Sequence, residues 1–466
     1  MAYTSFWFLR AGRHSRKKEP MRTQDAVFAV ALGVVVIAAA MVAWAARHPE
    51  IDPLEQPPTF DDTVVAKGAM LASLGNCATC HTTEAGASFA GGLDIPTPFG
   101  IVRSSNITPD ESTGIGHWPE TAFRRAMRDG VDREGNYLYP AFPYDHFTLA
   151  SDDDIAAIYA YLMSRPPVEN DVAENQLPFP LNIRMLVAGW NLLYLDRGPY
   201  QADGGQGDQW NRGAYLVMGL GHCGSCHTPR NALGAEIEDR LLAGGFAEGW
   251  VGPALDATSP APAGWTVAQL ASFLRDGWAE AHGSALGPMA EVAANTARLP
   301  DEDIAAMATF LASLQPEVAE HDIAAAVEAA GEREWSPLQL SALDGADDAI
   351  QDPGEAVFAG ACALCHRKGG RLPISRPVPL ALSTAVAMDD PTNFLQVVLH
   401  GVEAHDPPGT TMPAFAAVLD DAQLADLANY VRRHFTDEPA WTDLDRAIDN
   451  ARRGRDAENL ALGNGD

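Results

Sequence analysis

The residues best placed to do chemistry are six cysteines, arranged in three copies of one pattern. The copies read Cys77-Ala78-Thr79-Cys80-His81, Cys223-Gly224-Ser225-Cys226-His227 and Cys362-Ala363-Leu364-Cys365-His366. C-x-x-C-H is the attachment signature of c-type haem. Two thiols three positions apart, on one turn, can form thioethers to the two vinyl groups of one porphyrin. The adjacent His then lies under the iron as proximal ligand. A zinc knuckle would pair one half-site with another, whereas each copy here is self-contained and carries its own His. No cysteine is left over for a disulfide or a thiol nucleophile. The pattern predicts three covalently bound haems c, with His81, His227 and His366 as proximal ligands.

The sixth iron ligand follows from aligning the chain with itself. Gly287-Pro288-Met289 places Met289 twelve residues after Gly277, and Met412-Pro413 places Met412 eleven residues after Gly401. A thioether in this position favours ferrous iron and raises the potential. The first copy breaks the pattern. Twelve residues after Gly130 stands Phe142, in Tyr139-Pro140-Ala141-Phe142-Pro143-Tyr144, and phenylalanine cannot ligate iron. His146, four residues on, is the first candidate to replace it. Met127 is a second, and a five-coordinate iron is the third reading. The remaining histidines of the units (His117, His222, His282, His400, His405 and His434) have no second ligand at a haem or metal spacing.

The elements that must hold these motifs also repeat, with intervals of 146 and 139 residues between the first cysteines. A glycine lies eight to ten residues before each motif, at Gly68, Gly213 and Gly354, on a helix leading into it. A closing helix follows, with an acidic start suited to the helix N-terminus. It runs from Ser151 through Tyr161, from Pro300 through Phe310 and from Asp420 through Tyr430. Between them, Arg128-Asp129-Gly130 and Arg275-Asp276-Gly277 each follow a tryptophan, Trp118 and Trp265, with a Trp-to-Gly spacing of 12. Leu399-His400-Gly401 takes this place in the third unit, without the tryptophan.

The rest of the chain sets the boundaries. A basic segment, 1–25, precedes an uncharged run, 26–46, which is long enough to cross a hydrocarbon core. The charge bias predicts a transmembrane anchor with the N-terminus in the cytoplasm, or else a cleaved signal. Haem units are expected at 60–165, 205–315 and 351–435. Linkers are expected at 166–204 and 316–350, and a flexible tail at 436–466. The fold expected is all-α: three tandem units after one N-terminal transmembrane helix. Apolar residues make up 47% and charged residues 20%, which excludes wholesale disorder. The net charge is -30, and -34 beyond residue 46, which excludes a nucleic-acid binder.

With these motifs in hand, the chain resembles the triple-haem cytochrome c subunits of membrane-bound bacterial dehydrogenases, across residues 60–435. The specific stretches are Thr97-Pro98-Phe99-Gly100, Asn106-Ile107-Thr108-Pro109-Asp110, Thr113-Gly114-Ile115-Gly116 and His227-Thr228-Pro229-Arg230-Asn231. The resemblance implies class I cytochrome c domains and an electron relay with no substrate chemistry of its own. It implies a catalytic dehydrogenase partner, of molybdenum hydroxylase or quinoprotein type, and a quinone or cytochrome acceptor. Tyr-Pro-Ala-Phe-Pro-Tyr-Asp-His-Phe is more similar to the branch that accompanies nicotinate- and isoquinoline-type molybdenum hydroxylases. The location implied is the inner membrane, single-pass, with the haem domains in the periplasm. An open first haem would instead suit a peroxidase-like haem enzyme.

Overall fold

In the computed structural model of the chain, the residues described are 47–336, 350–368, 378–402 and 412–453. Contacts divide the chain into residues 1–48 and residues 49–466, and every element named here belongs to the second.

In the first unit, α1 (Asp62–Leu74) begins where the Asp61 carboxylate accepts the Thr63 N–H at 2.8 Å. A short α2 (Cys77–Cys80) follows, then an antiparallel hairpin of β1 (Asp94–Thr97) and β2 (Gly100–Arg103). Helix α3 (Glu120–Asp129) stops at Gly130, whose φ of 61° suits glycine. After α4 (Tyr144–Phe147) comes α5 (Asp152–Met163), capped by Ser151, whose hydroxyl accepts the Asp154 N–H at 3.1 Å. The first linker contributes α6 (Val187–Tyr194). Its buried Asn191 accepts from the Tyr144 hydroxyl at 2.7 Å and donates to the Asp129 carbonyl at 3.1 Å.

The second unit repeats the order. Helix α7 (Asp208–Tyr215) widens into a π turn over Leu216–Leu220 and leads to α8 (Gly224–His227). A hairpin of β3 (Gly245–Ala247) and β4 (Trp250–Gly252) follows. Then come α9 (Val267–Asp276), a minimal hairpin of β5 (Trp278–Ala279) and β6 (Gly283–Ser284), α10 (Pro288–Thr296) and α11 (Asp301–Ser313). Helix α12 (Glu320–Glu332) occupies the second linker. In the third unit α13 (Pro353–Val357) again runs into a π turn, Phe358–Cys362. It is followed by α14 (Thr392–His400) and α15 (Asp421–Phe435). In the stretch read as a flexible tail, α16 (Leu444–Arg453) buries Leu444, Ile448 and Ala451, three positions on one helix face.

The opening and closing helices cross in the same way three times. A Cβ on Gly68 would lie 1.8 Å from the Ala157 carbonyl oxygen and 2.9 Å from the Tyr161 Cβ. On Gly213 it would lie 2.0 Å from the Ala306 oxygen and 2.8 Å from the Phe310 Cβ. On Gly354 it would lie 2.1 Å from the Asp426 oxygen and 2.6 Å from the Tyr430 Cβ. In each case the glycine meets the carbonyl four residues before the aromatic, so the helix axes approach closer than any side chain allows. An ion pair beside the crossing also repeats, Lys67–Asp154 at 2.6 Å and Arg212–Asp303 at 2.7 Å.

The Arg-Asp-Gly triplets have a shared task. Arg128 donates to the Thr148 and Ala150 carbonyls, at 2.6 and 2.7 Å, and pairs with Asp152. Arg275 donates to the Ala297 and Leu299 carbonyls, at 3.0 and 2.9 Å, and pairs with Asp301. Each arginine ties the end of one helix to the start of the closing helix. The third unit lacks the triplet. There the buried Arg432, on α15 itself, donates to the Val386 and Met388 carbonyls.

The first and second units share one apolar core, in which Leu74 and Ile158 are continuous with Leu220 and Met307. The third has its own, around Phe358, Leu395, Leu424 and Tyr430, closed by Trp441.

Two expectations are corrected. The fold is not all-α: 45% of the described residues are helical, and three two-stranded antiparallel sheets accompany the helices among them. These strands are two to four residues long, too short for an alternating pattern to register. No helix among the described residues is long and apolar enough to cross a membrane, so the single-pass inner-membrane placement is not retained. The run 26–46 on which it rested lies outside the described residues.

Candidate haem-attachment sites

Each motif sits just past its opening helix, and in the first two units a sharp turn aims it. Asn76 adopts φ 49° and His222 φ 36°, left-handed values at the residue before the first cysteine. One helical turn then carries both thiols and the histidine. The His81 N–H donates to the Cys77 carbonyl, His227 to Cys223 and His366 to Cys362, each at 3.0 Å.

The hairpins explain the histidine orientation. After each of the first two motifs the chain turns back, and the Gly91 and Gly244 amides donate to the carbonyls of His81 and His227 at 2.8 Å. The returning strand then supplies a carbonyl to the ring: His81 Nδ1 donates to Ser105 O at 2.6 Å, and His227 Nδ1 to Pro253 O at 2.7 Å. A proton fixed on Nδ1 leaves the Nε2 lone pair as the metal donor, the usual outer-shell arrangement for a ligating His. Burial lowers the pKa of both rings, although the carbonyl contacts act in the other direction. His366 Nδ1 is buried with no partner among the described residues, and burial again lowers its pKa.

All six cysteines are unpaired. Burial pushes the Cys77, Cys223, Cys226 and Cys362 thiols up to about 12, and Cys80 to about 11. Such thiols carry almost no thiolate at neutral pH, unlike redox or nucleophilic cysteines. Free thiol pairs on one turn, beside a histidine held in the metal-binding tautomer, fit covalent haem c. Bound haem supplies a one-electron Fe(II)/Fe(III) couple, whose potential the axial ligands and burial tune.

The expected distal residues lie as follows. Met289 stands in the first turn of α10, behind Gly287 (φ 53°) and Pro288, and is half-buried against the shared core. Met412 pairs with Val402 through two backbone bonds of 2.9 Å and packs on the third core. Phe142, in the equivalent place, packs on Phe147 and Tyr144 with ring centroids 5.4 and 6.2 Å away. Met127 is buried in the core on α3.

His146 points elsewhere. It is 6% exposed, its Nδ1 contacts Met218 O at 2.7 Å, and its Nε2 contacts Glu236 at 2.7 Å. Both ring nitrogens are committed to the second unit, so in this arrangement neither is offered to iron. Burial disfavours its charge, but the Glu236 bond and the nearby carboxylates outweigh this and raise its pKa to about 9. His222 is also buried, with Nε2 donating to Gly75 O at 3.3 Å; burial and the charge on His146 push it down to about 4.

Spacing does not identify Ser105 and Pro253, because they act through backbone carbonyls that any residue possesses. Glu236 and Asn295 likewise carry no signal in the sequence. Asn295, on α10, donates to Asn76 Oδ1 at 2.8 Å, and its carbonyl accepts from Ser73 Oγ at 3.2 Å. The helix that carries Met289 is thereby joined to the turn that presents Cys77.

Comparison with known proteins agrees with this geometry. The family model described as "Cytochrome c" matches residues 65–166, and that described as "Cytochrome C oxidase, cbb3-type, subunit III" matches residues 349–431. The chain is similar to the fructose dehydrogenase cytochrome subunit of Gluconobacter japonicus, at 34% identity over 84% of this chain and 83% of that one. It is 35% identical to the gluconate 2-dehydrogenase cytochrome c subunit of Pantoea cypripedii, over 80% of this chain and 86% of the relative. The chain belongs to the family of dehydrogenase cytochrome c subunits. Covalent haem c and electron transfer go with membership of this family. A further relative, a nicotinate dehydrogenase subunit of Pseudomonas putida, is 44% identical over 90% of this chain. The chain spans only about a third of that protein's length (34%).

Proposed function

We propose that this cytochrome c subunit carries three covalent haems c. It would relay electrons from a catalytic dehydrogenase partner to a quinone or another acceptor. One observation carries the reading: each of the three C-x-x-C-H motifs follows a helix pinned by the same glycine-to-carbonyl crossing. The thioether cysteines would be Cys77, Cys80, Cys223, Cys226, Cys362 and Cys365. His81, His227 and His366 would be the proximal ligands, with Met289 and Met412 as distal ligands in the second and third units.

Nothing in this scheme asks the chain to make or break substrate bonds. Its residues orient the ligands, exclude water and hold the haem-bearing turns in fixed relation. The first two turns pack against one shared core, with Cys77 and Cys223 both lying on it. The higher identity to the nicotinate dehydrogenase relative, 44% against 34–35%, supports a partner of molybdenum hydroxylase type. This agrees with the Tyr-Pro-Ala-Phe-Pro-Tyr motif.

Mass spectrometry and alkaline pyridine haemochrome assay of the chain, matured in a host that attaches haem c, test the count. Three haems per chain are expected, and two after Cys362→Ala with Cys365→Ala. Fewer than three in the unaltered chain would overturn the reading. Copurification with a dehydrogenase whose substrate reduces the haems would establish the partner.

A further inference from the structure

At the distal position the first unit differs from the other two, and a second observation explains what became of the obvious substitute. Phe142 stands where the repeat places Met289 and Met412, and its side chain has no donor atom. His146 is the nearest residue that could compensate. It is held instead between the Met218 carbonyl and the Glu236 carboxylate, each 2.7 Å from a ring nitrogen. Arg230 lies 3.7 Å from the same carboxylate oxygen. The clamp is tight on its far side as well. A Cβ on Gly224, inside the second motif, would come within 2.7 Å of Glu236 Oε2 and 2.9 Å of His146 Cε1. His146 therefore acts as a strut between the distal loop of the first unit and the attachment turn of the second. Freeing its ring would remove the 2.7 Å hydrogen bond of a buried carboxylate and leave it only Arg230 at 3.7 Å, which is costly. Among the described residues, Met127 is buried in the core on α3 and His222 is bonded to Gly75 O.

We infer that the first unit binds its haem without a sixth protein ligand. The distal iron position is thereby open to small exogenous haem ligands of the carbon monoxide, nitric oxide and cyanide class. Glu236 is the positioning residue that keeps it so. The inference rests on the three-haem reading, and the haem count separates failure of one from failure of the other.

The test uses the full-length holo chain, with its three haems first verified. The dithionite-reduced protein is titrated with carbon monoxide and followed by difference spectroscopy. The oxidised protein is examined by electron paramagnetic resonance. The expected uptake is one carbon monoxide per chain, with one high-spin ferric haem in three. His146→Gln keeps a donor for Glu236 but removes a strong iron ligand, and it should take up the same amount. Phe142→Met restores the repeat and should abolish uptake at a concentration that saturates the unaltered chain. It should also add a His–Met charge-transfer band. Absence of carbon monoxide binding in a chain shown to hold three haems would overturn the inference. Uptake that appears only after His146→Gln would overturn it as well, and would make His146 the ligand.

Discussion

At the residue scale, the most consequential side chain is His146. Its spacing marks it as a substitute ligand, an imidazole four residues from the place of a missing methionine. The structure commits both of its nitrogens to the neighbouring unit instead. Sequence spacing reports how far a ring can reach, and not which partner it finds. Glu236, ninety positions away, leaves no trace in the local pattern. The pairing has a consequence for pH. His146 has its pKa raised from 6.5 to about 9, so its contribution to stability is complete below 6.5 and is lost as the pH rises through 9. Burial alone would raise the Glu236 pKa, but the His146 bond and charge dominate and lower it from 4.5. Its contribution is complete above 4.5 and is lost in acid. The thermal midpoint of the unaltered chain should therefore fall between pH 6.5 and 9. His146→Gln, which does not titrate, should flatten that slope. An equal slope in both proteins would assign the pH dependence to other groups.

At the scale of elements, much is legible because helix crossings write themselves into sequence. The Gly68, Gly213 and Gly354 series and the Tyr161, Phe310 and Tyr430 series stand at matched offsets, and the structure pairs them four residues out of phase. The acidic helix starts are equally plain. The hairpins are not. Each is short, and its product is a carbonyl oxygen aimed at a ring, which no residue type announces. The crossing glycines give a test with an internal control. Gly213→Ala puts a methyl group 2.0 Å from the Ala306 oxygen, where the two backbones have no room to yield. Overpacking of this kind costs about 1–3 kcal/mol. Gly331, on α12, has nothing within 4 Å of a Cβ, and alanine there should stabilise by up to about 1 kcal/mol through helix propensity. Denaturant titration should show the midpoint falling for the first variant and holding or rising for the second. A neutral Gly213→Ala would mean that the helices separate without penalty.

At the scale of the whole molecule, three repeats need not make three independent parts. The first two units bury Leu74 and Leu220 in one continuous core. A Cβ on Gly221 would sit 3.5 Å from Leu74 Cδ1. Further ties cross the same boundary, through Tyr215 to Asp154, His146 to Glu236 and Asn295 to Asn76. The third unit has a separate main core and meets the second through a smaller apolar cluster, in which Ala263 and Ala281 meet Ile323 of α12 and Leu382, and through polar contacts. Asn393 exchanges bonds of 2.9 and 2.8 Å with the Val251 backbone, and Gln396 donates to Gly249 O at 3.1 Å. Cooperativity follows the extent of shared apolar burial more than scattered hydrogen bonds, which exchange readily with water, and the core common to the first two units is far larger than the five-residue cluster that reaches the third. Scanning calorimetry of the holo chain should therefore resolve two transitions, one for the first and second units together and one for the third. Leu220→Ala removes a side chain only 1% exposed and should lower the joint transition by an amount equivalent to about 2–5 kcal/mol, leaving the other in place. Phe358→Ala, from the third core, should do the converse. If Leu220→Ala moved both transitions equally, the small cluster around Leu382 and the polar contacts at Asn393 would be transmitting folding as strongly as the large shared core. The division into a coupled pair and a third partner would then be wrong.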